Sequence, residues 1–158
     1  MIVEVGCGGV YSAFSPKVYG EDVVYIDVGK PSIKIPNFIR ADADFMPLRS
    51  SHVMEIYASH IIEHVNSLSL LLAECHRVLV FGGRLHIWAP NFCSKHAWLN
   101  PEHKRSFTYF SLRDTLIRYG FHPTMYLRGL ATRFLPNSVS KVLSILLSDE
   151  LYAVGEKV

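Results

Sequence analysis

The chain opens with Met1-Ile2-Val3-Glu4-Val5-Gly6-Cys7-Gly8-Gly9, in which a short apolar strand runs directly into a glycine-rich turn. Glycine adopts positive φ at little cost and has no Cβ, so the backbone can turn sharply and approach a ligand closely. A second apolar stretch at 23–26 ends in Asp27. A carboxylate at the end of the second strand of an α/β unit is placed to bind a ribose diol. The two segments therefore predict a site for a nucleoside-containing cofactor.

Length and composition favour one domain that covers residues 1–158 and has one core. The net charge is only +2 and both signs are spread along the chain, so no basic tract indicates a nucleic-acid partner. No apolar run reaches the roughly 18 residues of a membrane span, and we expect neither a membrane segment nor a signal peptide. Cys7, Cys75 and Cys93 lack metal-binding spacing and fit a reducing compartment, which predicts a cytoplasmic protein.

Apolar stretches of strand length alternate with helical periods along the chain. The predicted strands are 2–5, 23–27, 37–40, 54–58, 84–89, 121–127 and 150–155, and the predicted helices are 68–79, 111–119 and 138–147. We expect Gly82-Gly83 to end the first of these helices, and Ser111 and Gly120 to cap the second. The alternation predicts an α/β fold with a parallel sheet, helices on both faces and a ligand at the carboxyl ends of the strands.

Two features weaken the cover on one face of this sheet. We expect no helix before the first strand, and Pro16 and Gly20 interrupt the helical pattern between Gly9 and Asp22. Either a short helix with a loop covers this face, or a second copy of the chain or another protein does.

A dinucleotide fingerprint is disfavoured, because Tyr11 stands where its third glycine belongs.

The opening segment 3–9 resembles the acidic-x-Gly-x-Gly motif of class I S-adenosylmethionine-dependent methyltransferases. Four more stretches are similar to motifs of that family in the same order: YID at 25–27, ADADFMPL at 41–48, ASHIIEHV at 58–65 and ECHRVLVFGGRL at 74–85. The resemblance covers about residues 1–121 and is strongest to the type 11 small-molecule subgroup. It implies a Rossmann-like, doubly wound, seven-stranded sheet that is mostly parallel with an antiparallel last strand. We expect this fold to lack the N-terminal helix that is usual in the family.

The resemblance also implies S-adenosylmethionine as the cofactor. Its predicted binding residues are Glu4, Gly6, Cys7, Gly8, Asp27, Val28, Asp42, Ala43, Ser59 and His60. Asp27 would accept the ribose hydroxyls, Asp42 and Ala43 would lie beside the adenine, and Ser59 would lie at the methionine end. Each carboxylate has a simpler alternative. Asp27 could be a solvated strand-end residue, and Asp42 could form a turn.

Candidate acceptor-site residues follow the fourth and fifth strands. His60 and His64 are four residues apart and would share a face on a helix. No third ligand with a known spacing is evident, so we predict no metal site. His64 and His103 are the candidate catalytic residues, which would position a hydroxyl or accept its proton, unless they are structural.

The long segment 91–108 would form part of the acceptor pocket, and its 103–108 portion resembles an H-x-R-x-F-T segment of the family. Trp98 and Arg105 are its candidate substrate-binding residues. Arg105 and His103 could instead pin the loop, and Trp98 could be a packing residue.

The resulting hypothesis is methyl transfer from S-adenosylmethionine to a small molecule, with an oxygen as the favoured acceptor atom. The sulfonium makes the methyl carbon electrophilic, so the protein mainly aligns the reactants and excludes water. The main alternative is a non-catalytic or partner-dependent subunit that binds the same cofactor. An RNA methyltransferase and a nicotinamide-dependent reductase are less favoured.

Overall fold

A seven-stranded sheet organises residues 1–8, 23–31, 34–127, 142, 145 and 148–158, which are the residues that the computed structural model describes. The strands are β1 Ile2–Val5, β2 Val23–Asp27, β3 Phe38–Arg40, β4 Val53–Ser59, β5 Leu79–Pro90, β6 Phe121–Leu127 and β7 Glu150–Lys157. The helices are α1 Leu68–Val78, α2 His96–Leu99 and α3 Tyr109–Arg118, and a 3-10 turn occupies Ala43–Phe45. The sequence-based assignments of β1, β2 and β6 match these bounds.

The strand order is β3-β2-β1-β4-β5-β7-β6. All neighbouring strands are parallel except that β7 runs antiparallel to both β5 and β6. This confirms the predicted mostly parallel, doubly wound α/β sheet with an antiparallel last strand. Val5 pairs with Ile26 of β2 and with Ala58 of β4, so three strands end side by side. The segments that follow β1, β2 and β4 therefore meet at one edge, where ligands bind in such sheets.

Hydrophobic residues pack on the sheet in two clusters. The larger cluster joins β1, β4 and β5 to the apolar face of α1, whose buried residues are Leu71, Leu72, Cys75 and Val78. Their spacing follows the helical period, which is why this segment forms an amphipathic helix. The smaller cluster contains Cys7, Val23, Tyr25 and Ile35. The central strands are therefore buried as a parallel sheet requires.

Several predicted boundaries differ from the structure, and two of these differences have a clear physical cause. Helix α1 ends at Val78, and β5 begins at once, so Gly82-Gly83 lies inside a 12-residue strand instead of ending the helix. Gly82 has φ of 73°, and the pairing of β4 with β5 shifts register between Val53 and Glu55. The two glycines thus lie at an irregularity in the β4–β5 pairing, where their backbone freedom allows the register to shift.

The second error concerns the start of α3. Thr108 is its N-cap, and its side chain accepts a hydrogen bond from the Ser111 amide at 3.1 Å. The Ser111 hydroxyl accepts in turn from the Thr108 amide at 2.8 Å, so Ser111 is the third helical residue of a capping box. Gly120, at φ of 81°, follows the C-cap Tyr119 as predicted.

The Glu74–Arg77 pair on α1 fastens the segment that follows the 3-10 turn. Arg77 donates to the carbonyls of Met46 at 3.0 Å and Leu48 at 2.9 Å, and Glu74 accepts from the Met46 amide at 2.9 Å. The two side chains also pair directly, with a shortest N–O distance of 2.7 Å. This network holds in place the loop that carries Asp42 and Ala43.

Two expectations fall on other parts of the chain. The weakly predicted helix between Gly9 and Asp22, including Tyr11, lies outside the described residues. So does most of the predicted helix 138–147. Among the residues that the structure describes, no helix is long and apolar enough to cross a membrane.

Candidate functional site

A cavity of about 510 Å³ opens at the carboxyl ends of β1, β2 and β4. Its volume lies in the range of sites that bind small molecules and cofactors. The lining residues are Gly6, Gly8, Ile26, Asp27, Val28, Ala41, Asp42, Ala43, His60, Ile61, His64, Val65, Asn66, Glu102 and Lys104. Seven of the ten predicted cofactor-binding residues therefore share one cavity with one predicted catalytic histidine.

The glycine turn after β1 forms one wall of the cavity. Gly6 and Gly8 have φ of 72° and 64°, a region that side-chain-bearing residues rarely adopt. A Cβ on Gly6 would lie 2.7–3.0 Å from three atoms of the Ile61 side chain. A Cβ on Gly8, which lines the cavity, would meet no heavy atom of the described residues within 4 Å. The turn thus presents bare backbone to a ligand.

Asp27 anchors this turn. One carboxylate oxygen accepts from the Gly8 amide at 2.8 Å, and the other accepts from the Gly29 amide at 2.7 Å. Each oxygen has a second lone pair. Asp27 is therefore an ordered group that can still accept hydrogen bonds from a ligand diol, in contrast to a merely solvated strand-end carboxylate.

Asp42 and Ala43 follow β3 and line another part of the cavity wall. Asp42 caps the 3-10 turn by accepting from the Asp44 amide at 3.0 Å, so the turn-forming role expected as an alternative is present. Burial raises the pKa of Asp44, and the charge of Asp42 raises it further. Asp42 combines this capping role with its place in the cavity wall.

His60 follows β4 in a left-handed conformation, with φ of 51°. Its ring nitrogens lie 2.8 Å from Glu150 and 3.3 Å from Glu63. The hydrogen bonds that the ring donates to Glu150 and Glu63 raise the pKa of His60 to about 9, so the ring is a cation at neutral pH. Ser59, one residue earlier, is buried behind the cavity.

His64 pairs with His103 instead of sharing a helical face with His60. Residues 60–66 form bends and turns, so the expected helical relation between His60 and His64 was wrong. The rings of His64 and His103 meet edge to face with centroids 4.7 Å apart. Sequence reasoning found both residues but could not bring them together, because they come from separate loops.

The acceptor-loop candidates lie outside the cavity lining. The Arg105 guanidinium donates to the carbonyls of Ile62 at 3.0 Å, Val65 at 2.7 Å and Asn66 at 3.2 Å, which supports the loop-pinning alternative. Trp98 is 61% exposed and donates its indole N–H to the Phe92 carbonyl at 2.8 Å.

Besides Ser59, two predicted cofactor-binding residues do not line the cavity, and three polar residues that were not predicted do line it. Glu4 and Cys7 are buried outside the cavity lining, and the Cys7 side chain belongs to the smaller core cluster. Asn66, Glu102 and Lys104 line the cavity, although no local motif singled them out. Their positions depend on the contact between the 62–66 turn and the 100–105 loop.

The family of the chain follows from a comparison with known families. A type 11 family model described as a methyltransferase domain matches residues 3–87, which is more than half of the chain. The chain belongs to this methyltransferase family. It is an S-adenosylmethionine-dependent enzyme of class I, as the five sequence motifs indicated. No curated protein matches it by sequence.

Solved structures of low sequence identity share the fold. A methyltransferase dependent on S-adenosylmethionine from Archaeoglobus fulgidus has a TM-score of 0.75 and 17% identity, with 99% of this chain and 85% of that chain covered. The complex of the Haloferax volcanii Trm112 methyltransferase activator with its methyltransferase has a TM-score of 0.71 and 16% identity, with coverages of 98% and 81%. The Burkholderia thailandensis 1,6-didemethyltoxoflavin-N1-methyltransferase, solved with S-adenosylhomocysteine, gives 0.67 and 16%, with coverages of 99% and 70%.

The cavity of this methyltransferase suits its cofactor. Gly8 leaves open space where a Cβ would stand, and Asp27 offers acceptors for a diol. The hydroxyl of Ser59, at the end of β4, is buried without a hydrogen-bond partner within the described ranges, but Ser59 is not among the cavity-lining residues. A sulfur nucleoside carries both a diol and a polar amino-acid portion, so the donor and acceptor set fits it.

Proposed function

We propose that the enzyme transfers the cofactor's methyl group to an oxygen of a small-molecule acceptor. The observation that carries this proposal is that the glycine turn, Asp27 and His64 line a single cavity of about 510 Å³. A cavity of this size accommodates a cofactor and a small acceptor. The described surface has no basic tract of the kind that a nucleic-acid substrate requires.

The residues around the cavity suit the separate parts of the cofactor. Asp27 would accept the ribose hydroxyls, and Asp42 with Ala43 would lie beside the adenine. His60 would lie at the methionine end, with both ring nitrogens already paired to Glu150 and Glu63. When bound, the cofactor supplies an electrophilic methyl group on a sulfonium, so the protein needs to align the acceptor and exclude water.

His64 and His103 are the groups that would help the acceptor oxygen lose its proton. Nδ1 of His64 lies 3.3 Å from the Glu102 carbonyl, and Nδ1 of His103 lies 3.2 Å from the Ala97 carbonyl. A carbonyl accepts only, so each Nδ1 carries the proton and each Nε2 keeps its lone pair. Lys104, which also lines the cavity, would favour an acceptor that carries negative charge.

An acceptor screen tests this function. Purified protein is incubated with S-adenosylmethionine and phenols, carboxylic acids, alcohols, amines or thiols, and S-adenosylhomocysteine release is measured. We expect turnover with an oxygen acceptor that falls at least tenfold in His64→Gln. His52→Gln, at an exposed histidine outside the cavity, is the matched control. Turnover confined to amines or thiols contradicts the proposal.

We also propose that the enzyme works with a protein partner, as a homodimer or with another chain, in the cytoplasm. The Haloferax volcanii neighbour is solved with an activator, which supports a partner. The three cysteines, all in described parts of the chain, form no disulfide, as expected in a reducing compartment. Light scattering after gel filtration tests the first point, and a monomer that is fully active alone would contradict it.

A further inference from the structure

We propose that Glu63, His64 and His103 form a binding site for a divalent transition-metal ion in the wall beside the cofactor cavity. One ligand atom from each of the three residues lies within 4.8 Å of the other two. Ligand atoms bound at about 2.0–2.2 Å to one tetrahedral ion lie about 3.3–3.6 Å apart. Small movements of the three side chains would therefore bring their ligand atoms to bonding distance of one ion.

The two histidines are held in the tautomer that metal binding requires. Nδ1 of His64 faces the Glu102 carbonyl, and Nδ1 of His103 faces the Ala97 carbonyl. Metal-bound histidines commonly donate their second ring N–H to such a carbonyl, which fixes the ring and leaves the other nitrogen as the ligand. Each Nε2 is thus the ring nitrogen left with a lone pair for an ion, and the centroids of the two rings lie 4.7 Å apart.

Glu63 supplies an independent indication of a cation. Its side chain is 1% exposed, and one carboxylate oxygen contacts His60 at 3.3 Å. The other oxygen is buried and has no hydrogen-bond partner among residues that the structure describes. Burying a carboxylate oxygen without a donor is unfavourable. A bound cation would provide the missing partner.

The backbone holds the two loops together before any ion binds. The Lys104 amide donates to the Glu63 carbonyl at 2.8 Å. Arg105 donates to the carbonyls of Ile62 and Val65, on either side of the Glu63–His64 pair. The segment that carries His103 is therefore fixed against the turn that carries the other two ligands, so the site is largely preorganised.

The ligand set selects the class of ion. Two imidazoles and one carboxylate favour Zn²⁺, Co²⁺, Fe²⁺ or Mn²⁺ over Ca²⁺ and Mg²⁺, which prefer all-oxygen sites. Three protein ligands leave further coordination positions open. Since His64 also lines the cavity, the proposed ion would lie next to the space proposed for the acceptor.

The consequence for catalysis rests on the proposed function. An acceptor hydroxyl that binds the ion would lose its proton to solvent more readily. The oxygen then forms a bond to the methyl carbon while the carbon–sulfur bond breaks, which gives a methyl ether, S-adenosylhomocysteine and a released proton. His64 and His103 would thus assist as metal ligands.

Cobalt binding to the whole protein tests the site without an acceptor. Chelator-treated protein is titrated with Co²⁺ by calorimetry, and visible absorption reports imidazole coordination. We expect one ion per chain and at least tenfold weaker binding in His103→Gln and Glu63→Gln, with no change in His52→Gln. His103→Gln is decisive if Glu63→Gln fails to fold, because His103 is only partly buried.

Absence of saturable binding, or unchanged affinity in His103→Gln, would overturn the metal site. The same samples are titrated with S-adenosylhomocysteine and assayed for methyl transfer with chelator present. Oxygen methylation that is unaffected by chelator would overturn the role of the ion in catalysis and leave the proposed function intact. Stoichiometric Co²⁺ binding in a protein that methylates only amines or thiols would support the site and contradict the proposed function.

Discussion

Replacing Gly8 by alanine separates the role of the glycine turn in binding from its role in folding. Gly8 has φ of 64°, and no heavy atom of the described part of the chain lies within 4 Å of a new Cβ. The substitution therefore costs only left-handed strain, about 1–2 kcal/mol. Gly82 provides a matched control, because its φ is 73° and its Cβ would also meet nothing within 4 Å. Gly82 does not line the cavity.

The two variants should lose similar stability and differ in cofactor binding. For a chain of this size, a loss of 1 kcal/mol lowers Tm by about 2–4 °C. The methyl group at position 8 occupies the open wall of the cavity, so we expect S-adenosylhomocysteine to bind at least about tenfold more weakly, which corresponds to about 1.4 kcal/mol. Gly82→Ala should bind like the wild type.

Thermal unfolding and isothermal calorimetry with S-adenosylhomocysteine measure the two quantities separately. Wild-type affinity in Gly8→Ala would refute the assignment of this turn to the cofactor. An equal loss of affinity in both variants would show that binding responds to general destabilisation instead of to the cavity wall.

Three further predictions concern stability. Gly6→Ala should lower the free energy of unfolding by about 2–4 kcal/mol, more than Gly8→Ala, because residue 6 has positive φ and its new Cβ would lie 2.7–3.0 Å from Ile61 atoms. In urea unfolding, the double variant Gly6→Ala/Ile61→Ala should recover part of this loss. Glu74→Gln should destabilise the protein at pH 7, and its effect should shrink as the pH falls below about 4.5. The Arg77 hydrogen bonds lower the pKa of Glu74, so the stabilisation is present above the unfolded pKa and is lost as the pH falls through the folded value. Arg105→Lys should cost about 1–3 kcal/mol and speed amide exchange in the 62–66 turn, since lysine cannot donate to three carbonyls in the same fork geometry.

Each of these predictions has a distinct contrary result. Equal costs for the two glycine variants would contradict the Ile61 contact. A Glu74→Gln effect that is unchanged from pH 7 to pH 3 would contradict the charged pair with Arg77. An Arg105→Lys enzyme that keeps its stability but binds acceptor poorly would favour the substrate-binding role.

The sequence predicted the strands well, because those signals are local, and seven of its ten candidate cofactor residues line one cavity. The run from Ile2 to Gly8 and the stretch that ends in Asp27 each contain an apolar strand and its turn, and a parallel sheet brings such ends together. The helix start at Thr108 was missed because Ser111 has equal capping chemistry three residues later. Gly82-Gly83 was predicted to end helix α1 but lies within β5, because glycine is as common at strand irregularities as at helix ends.

The acceptor side was less predictable because it depends on contacts between distant segments. His64 and His103 meet only because the Lys104 amide and the Arg105 guanidinium fasten one loop to the other. His60 was assigned to the cofactor from its motif, but its charge at neutral pH depends on Glu150, which comes from β7. No local pattern contains that information.

Calorimetric titration of the purified protein with S-adenosylhomocysteine and, in parallel, with NAD tests the central claim most directly. We predict one S-adenosylhomocysteine per chain, no detectable NAD binding, and a loss of about 10- to 100-fold in Asp27→Ala, as expected for charged hydrogen bonds of about 1.5–3 kcal/mol. Absence of binding to the sulfur nucleoside, or comparable binding of NAD, would contradict the assignment of this cavity to S-adenosylmethionine.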